Sequence, residues 1–366
     1  MANDALPEEW SILRDWLPAD LGERARQCGF FQRERGLTDA ECWLRMILMH
    51  VAGGLSLEQT TARARELHLA DVSAVALFKR LSRAGDWLQN LCEHLLREQQ
   101  LRLGIRGWPS EYTVRAIDAS CIQEPGQTGS IWRLHYSIRL PDLVCDHYEL
   151  TDHKGGEKFA RFSFAKGELV IADRGYNHRA GAAHVLDAGA ELLMRWSPTI
   201  FPVTTSKGGR LDLLSRLRAL PLGQLGEWNA VFQHKDKAYP VRICSIRKSR
   251  EAAERAQRKV REKARCHGSK DVQPESLELA QYILVLTTLP ARYSCREVLD
   301  LYRCRWQVEL AFKRLKTLLN TGHIPKSSDG SARAWMQAKI LCALLLERLL
   351  LEAEILSPWG YKLPQP

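Results

Sequence analysis

Apolar and polar positions change period along this chain. Thr38–Val51 repeats apolar residues every three or four positions and stops at Gly53-Gly54, which predicts an amphipathic helix with a glycine terminus. Ser56 followed by Gln59 is a capping-box pattern and predicts a helix over Leu57–Leu67. His68–Asp71 reads as a turn, and Ser73 starts another helix through Leu77, Phe78, Arg80 and Leu81. Trp87 and Leu91 read as core. From residue 112 the pattern becomes strand-like. Residues 112–117, Ile131–Leu140 and Leu143–Leu150 read as strands, the last two separated by a Pro141-Asp142 turn. Leu169–Ala172 is a short apolar run typical of a buried strand; Arg179–Ala188 reads as a helix and Glu191–Trp196 as another strand. Ile200–Ser206, Ala230–His234, Ala238–Ser245 and Tyr282–Thr288 read as strands too. Tyr302–Lys316 reads as one helix, whose apolar stripe is Leu301, Val308, Phe312, Leu315 and Leu319. After a loop at Gly322–Gly330, Ala334–Glu352 predicts a strongly apolar helix, suited to packing under a sheet or to a dimer contact. The pattern defines a mixed α/β protein with helical ends, and no internal repeat is visible.

Charge sharpens this picture. A formal net charge of +10 and a pI near 9.2 favour a polyanionic partner, although many ordinary proteins share such a balance. The two short helices around His68–Asp71 fit a helix-turn-helix, with Lys79, Arg80 and Arg83 available to DNA; a plain helical bundle packed on the rest of the chain fits equally. Arg247–Lys270 is a charged block, expected to be a surface element or a DNA contact. At 366 residues two or three domains are expected. No apolar run is long enough for a membrane span, and the acidic start is unlike a secretory signal, so a cytoplasmic protein is expected. The ten cysteines are scattered without a CxxC pair, and the histidines lack regular ligand spacing, so zinc is not expected.

The candidate chemistry lies in YRCRWQVELAFKRLK. On one helix, Tyr302, Arg305, Glu309 and Lys316 would share a stripe roughly 60° wide. One acid flanked by two cations and an aromatic suits a metal-binding carboxylate beside a phosphate. A surface Arg305–Glu309 pair at i,i+4 is the plainer account. Two more acids upstream change the balance. Asp118 ends the first predicted strand, and Asp173 ends the buried run GELVIA before Arg174-Gly175. A single Asp in such a place usually caps a helix. Two, with Glu309, suggest a shared site, since hard divalent cations prefer carboxylate oxygens and a pair of them can serve phosphodiester chemistry.

At these residues the chain resembles DDE transposases of the insertion-sequence type, in insertion-sequence family four. That branch carries a signature that Tyr302, Arg305, Glu309 and Lys316 match at every spacing, and Asp118, Asp173 and Arg174-Gly175-Tyr176 match its two Asp motifs. The similarity spans about Leu37 to Leu350. It implies an α/β fold with a ribonuclease-H-like catalytic core interrupted by a mainly β insertion, an N-terminal helical domain and a C-terminal helical tail. The corresponding boundaries are 1–105 for the helical DNA-binding domain, 106–196 and 289–330 for the two parts of the core, 197–288 for the insertion and 331–366 for the tail.

The resemblance further implies that Asp118, Asp173 and Glu309 are catalytic and hold two Mg²⁺ or Mn²⁺ ions, while Tyr302, Arg305, Lys316, Lys313 and Arg174 bind DNA phosphates. The reaction would be cut-and-paste transposition: cleavage at the terminal inverted repeats, then attack of the freed 3′-OH on target DNA. The partners would be double-stranded DNA and a second copy of the chain in the synaptic complex, in the bacterial cytoplasm at the nucleoid. A hairpin intermediate would need an aromatic from the insertion, and the sequence assigns that role to neither Trp196, Trp228 nor another aromatic. An inert or domesticated relative that binds without cutting, and a ribonuclease-H-like nuclease, are the alternatives.

Overall fold

The computed structural model describes residues 7–31, 37–102, 111–123, 130–140, 144–266, 272–318 and 329–355. The Pro141-Asp142 turn, Leu143, Leu319 and residues 322–328 of the expected Gly322–Gly330 loop lie outside them.

Six helices come first: α1 (Pro7–Asp15), α2 (Leu21–Gln27), α3 (Ala40–Val51), α4 (Leu57–Glu66), α5 (Ala74–Leu81) and α6 (Gly85–Arg102). Their starts follow from side chains that satisfy the free N–H groups of a first turn. Asp39 accepts from the amides of Glu41 and Cys42, Ser56 and Gln59 close a capping box, and Ser73 accepts from Ala76.

The strands are β1 (Thr113–Gln123), β2 (Ser130–Leu140), β3 (Val144–Asp152), β4 (Glu168–Ala172), β5 (Glu191–Arg195), β6 (Leu225–His234), β7 (Lys237–Arg247) and β8 (Tyr282–Thr287). They form one sheet in the order β3-β2-β1-β4-β5-β8-β7-β6. β1, β2 and β3 are antiparallel neighbours, β4 and β5 run parallel to β1, and β8, β7 and β6 continue antiparallel from β5. The strands expected of an insertion therefore extend the central sheet instead of building one of their own. Ile200–Ser206 is not among them. Phe201 is buried, Pro202 has no amide to donate, and only Thr204 makes isolated bridges, to Arg210 and Val231.

The later helices are α7 (Arg179–Asp187), α8 (Leu213–Arg218), α9 (Arg250–Cys266), α10 (Pro274–Leu279), α11 (Cys295–Arg303), α12 (Trp306–Leu318) and α13 (Asp329–Ile355). The charged block is thus mostly helix, with no buried residue on α9. Strand alternation divides the apolar residues between two cores. One unites α2–α6 and α11–α13 with Val114, Ala116, Leu169 and Ile171 of the sheet; the other gathers Ile117, Val170, Ala172 and Tyr176 with α7 and α8. Over its described part the expected C-terminal tail is a core helix. Gln337 of α13 accepts a 2.6 Å hydrogen bond from the Tyr148 hydroxyl, and Glu347 accepts from Tyr136 and the Cys145 amide.

Candidate active site

The register of β1 against β4 is the first determinant of the site. Ile117 pairs with Ala172 at the last step of the parallel ladder, so the next residues, Asp118 and Asp173, stand side by side. Adjacent strands lie about 4.8 Å apart. Alternation places Asp118 on the face of Val114 and Ala116, and Asp173 follows Leu169 and Ile171 on that same face. α12 packs there, burying Val308 and Phe312, and Phe312 meets the Tyr136 ring at 5.7 Å. Asp118 itself is not the end of its strand: β1 runs on to Gln123, paired with β2, after β4 has stopped.

Tyr302–Lys316 is not one helix. α11 closes at Arg303, and the Cys304, Arg305, Gln307 and Val308 amides each bond three residues back, a tight turn before α12 extends. Tyr302 therefore ends α11, Arg305 sits in the turn, and Glu309, Lys313 and Lys316 ride on α12. The break does not scatter the group. Arg305 Nη2 donates to Glu309 Oε1, and Arg305 Nη1 lies 3.5 Å from Asp118 Oδ2. One guanidinium joins the acid of β1 to the acid of α12. The i,i+4 ion pair foreseen as the plain alternative is present, and it is one arm of this bridge.

Electrostatics show how crowded the acids are. Burial, then the charge of Asp173, pushes the Asp118 carboxyl up to about 7, against the opposing pull of the Ala119 amide and Arg305. Asp173 also has the local role of a lone Asp at a strand end: its Oδ1 accepts from the Gly175 amide at 2.7 Å, capping the turn Arg174–Tyr176. Oxygen donors from three elements, carrying more negative charge than Arg305 balances, fit a divalent cation. Tyr302 is half-buried, and burial pushes its hydroxyl up to about 12 with Arg305, Arg195 and Asp173 nearby. Lys313, Lys316 and Arg174 are exposed.

Arg195 and Lys248 were not evident in the sequence. Arg195 ends β5 and donates to the Tyr282 carbonyl; Lys248 donates to the Ala280 carbonyl. Burial, reinforced by Arg174 and Arg305, lowers Arg195 to about 10; burial, reinforced by Arg195 and Arg174, lowers Lys248 to about 8. Among the described residues neither has a carboxylate partner, so both hold positive charge available to a phosphate. The one legible signal was an arginine closing an apolar strand, LLMRW. Trp306, 57% exposed beside Arg305, is an open aromatic face. Trp196 is not: it is buried and donates to the Phe201 carbonyl at 2.8 Å, while Trp228 packs against the second core. The scattered cysteines include one meeting that spacing did not reveal. Cys244, Cys295 and Glu227 bring ligand atoms within 4.8 Å of one another, but Glu227 is already engaged by Arg242 at 2.7 Å.

Carboxylates at the β1–β4 edge and on α12 lie in one region, with Arg305 between Asp118 and Glu309 and further cations nearby. The Transposase DDE domain family matches the chain over residues 109–346, which include all three acids. The chain belongs to this family and is a DDE transposase of the insertion-sequence type, an enzyme of DNA transposition. It is 33% identical over 352 residues to the putative transposase InsL for insertion sequence element IS186A of Escherichia coli (strain K12), covering 94% of each chain. It is equally 33% identical over 353 residues to the transposase for insertion sequence element IS421 of Escherichia coli, again covering 94% of each. A cryo-EM structure of the piggyBac transposase synaptic complex with hairpin DNA overlaps with TM-score 0.49 and 8% identity, covering 91% of this chain and 71% of that one; so slight a likeness carries no argument. No helix among the described residues is long and apolar enough to cross a membrane.

Proposed function

We propose that this transposase binds the terminal inverted repeats of its own insertion sequence, cleaves there, and joins the freed 3′-OH ends to target DNA. The observation that carries the reading is the β1–β4 register that sets Asp118 beside Asp173, with Arg305 tying Asp118 to Glu309. The strand order β3-β2-β1-β4-β5 supports a ribonuclease-H-like core, and the Tyr302–Lys316 spacing supports insertion-sequence family four.

In this reading Asp118, Asp173 and Glu309 hold two Mg²⁺ or Mn²⁺ ions. Bound there, such ions supply Lewis acidity to the attacking and leaving oxygens. The remaining work belongs to the chain. Arg305 is placed to leave its carboxylates and hold a phosphate once cations balance them. Arg195, Lys248, Arg174, Lys313 and Lys316 extend positive charge along the DNA backbone. Tyr302 holds a neutral hydroxyl donor among them, and Trp306 presents a ring on which a displaced base can stack. Synapsis of two element ends calls for two copies of the chain on DNA.

The test is cleavage and strand transfer with purified protein, Mg²⁺ and DNA carrying the element's ends. Asp118→Asn, Asp173→Asn and Glu309→Gln should each abolish both reactions while end binding persists. Full activity in any one of them removes that residue from the site.

A further inference from the structure

Glu157 lies between β3 and β4 and belongs to no motif considered above. It is half-buried. Its carboxylate occupies the place where Gly175 would carry a side chain. A Cβ built there would overlap Glu157 Oε2 and lie 3.0 Å from Asp173 Oδ1. The two acids thus flank one glycine. Gly175 is not among the glycines with positive φ, so its backbone does not demand glycine, and the Glu157 carboxylate sits in the space a side chain there would fill. Among the described residues no hydrogen bond or ion pair satisfies this carboxylate. Asp173 is the charge that acts on it most strongly, Arg133 offsets it in part, and Asp118 also feels it. A desolvated acid beside another acid is unfavourable unless a cation joins them.

A second observation points into the same space. Tyr176 is fully buried, and its hydroxyl has no hydrogen-bond partner. The acids acting on it are Asp118, Glu157 and Asp173. A buried donor left unsatisfied within the field of three carboxylates marks the place of a polar occupant. Resting on the metal-site reading above, we propose that Glu157 is a fourth carboxylate ligand of the divalent cation held between Asp118 and Asp173, and that the Tyr176 hydroxyl donates into that carboxylate shell. Asp173 then reaches the ion from the end of β4, and Glu157 reaches it across Gly175.

Mn²⁺ titration of the full chain by calorimetry, with no DNA and no turnover, tests this. Glu157→Gln should weaken Mn²⁺ binding on the order of tenfold or more, as loss of a ligand or its close support does. Asp173→Asn is the reference for the site itself. Wild-type affinity in Glu157→Gln alongside weakened affinity in Asp173→Asn overturns the assignment of Glu157 and leaves the metal site standing. Wild-type affinity in both overturns the metal site and the assignment together. Should Glu157→Gln lose its circular dichroism spectrum, Glu157→Asp replaces it: that variant should bind with intermediate affinity, and unchanged affinity again overturns the assignment.

Discussion

Replacing Asp118 by Asn removes a charge that the fold itself opposes, so the variant should be more stable while losing catalysis. The carboxyl is raised from an ordinary 3.8 to about 7, chiefly by burial and next by Asp173. Because the folded value exceeds the unfolded one, the folded chain binds the proton more tightly. The stability this confers is fully present below the unfolded value and is lost as pH rises through about 7. A gap of roughly three pH units, at about 1.4 kcal/mol each, bounds the loss at ~4 kcal/mol. The side chain is only 15% exposed, so solvent screens little of it, although Asp173 shares the repulsion. A gain of roughly 2–4 kcal/mol for Asp118→Asn above neutral pH is therefore expected. Asn keeps an oxygen for the Ala119 amide, which now bonds Asp118 Oδ1 at 2.8 Å. The assay is urea unfolding in EDTA across about pH 4 to 8, comparing variant with wild type. Other titrations, such as that of His135, which burial holds down at about 4, cancel in the difference. That difference should be near zero in acid, grow through neutrality and level off. A difference independent of pH, or an Asn variant less stable at pH 8, refutes the electrostatic account. Added Mn²⁺ should stabilise wild type and leave Asp118→Asn nearly unmoved.

Two further outcomes concern the scaffold and the DNA surface. Arg115 is 5% exposed and joins Asp146 at 2.7 Å, Glu168 at 3.1 Å and the Ser163 carbonyl at 2.8 Å, so Arg115→Ala removes the guanidinium that two acids share on the sheet's far face. It should cost about 3–5 kcal/mol in denaturant unfolding, and a loss under 1 kcal/mol would show that the network contributes little. Lys79 and Arg83 are exposed on and just after α5, whereas Arg80 is folded over Phe30, Phe31 and Trp43 and donates to the Phe30 carbonyl. The double variant Lys79→Ala with Arg83→Ala should weaken end binding and flatten its salt dependence by roughly one unit of slope per lost phosphate contact. Unchanged affinity and slope would make α4 and α5 a scaffold rather than a DNA reader. Deleting residues 1–100 would not separate these cases, because these helices share a core with α13 and the sheet.

Local signals were legible because each rests on a few neighbouring residues. The capping box at Ser56 and Gln59, the buried run before Asp173 and the acid order Asp118, Asp173, Glu309 stand in the sequence and in the structure alike. The helix break at Cys304–Arg305 was hidden because nothing in YRCRWQVE forbids a continuous helix: no Gly or Pro interrupts it. The strands after Asp173 were visible singly, but their joining of the central sheet depends on pairing with β5, far upstream in the chain.

Residue order alone determined which side chains are candidates for the chemistry, since three acids, an arginine and a tyrosine at fixed spacing are a one-dimensional fact. Only the folded chain decided that Asp118 and Asp173 follow the last rung of the β1–β4 ladder, that Arg305 spans two acids, that Arg195 lies near Arg305 and Lys248 near Arg195, and that Glu157 stands across Gly175 from Asp173. The physical reason is range. Period and capping act over a turn or two of chain, whereas strand register and desolvation are set by partners that sequence distance does not reveal.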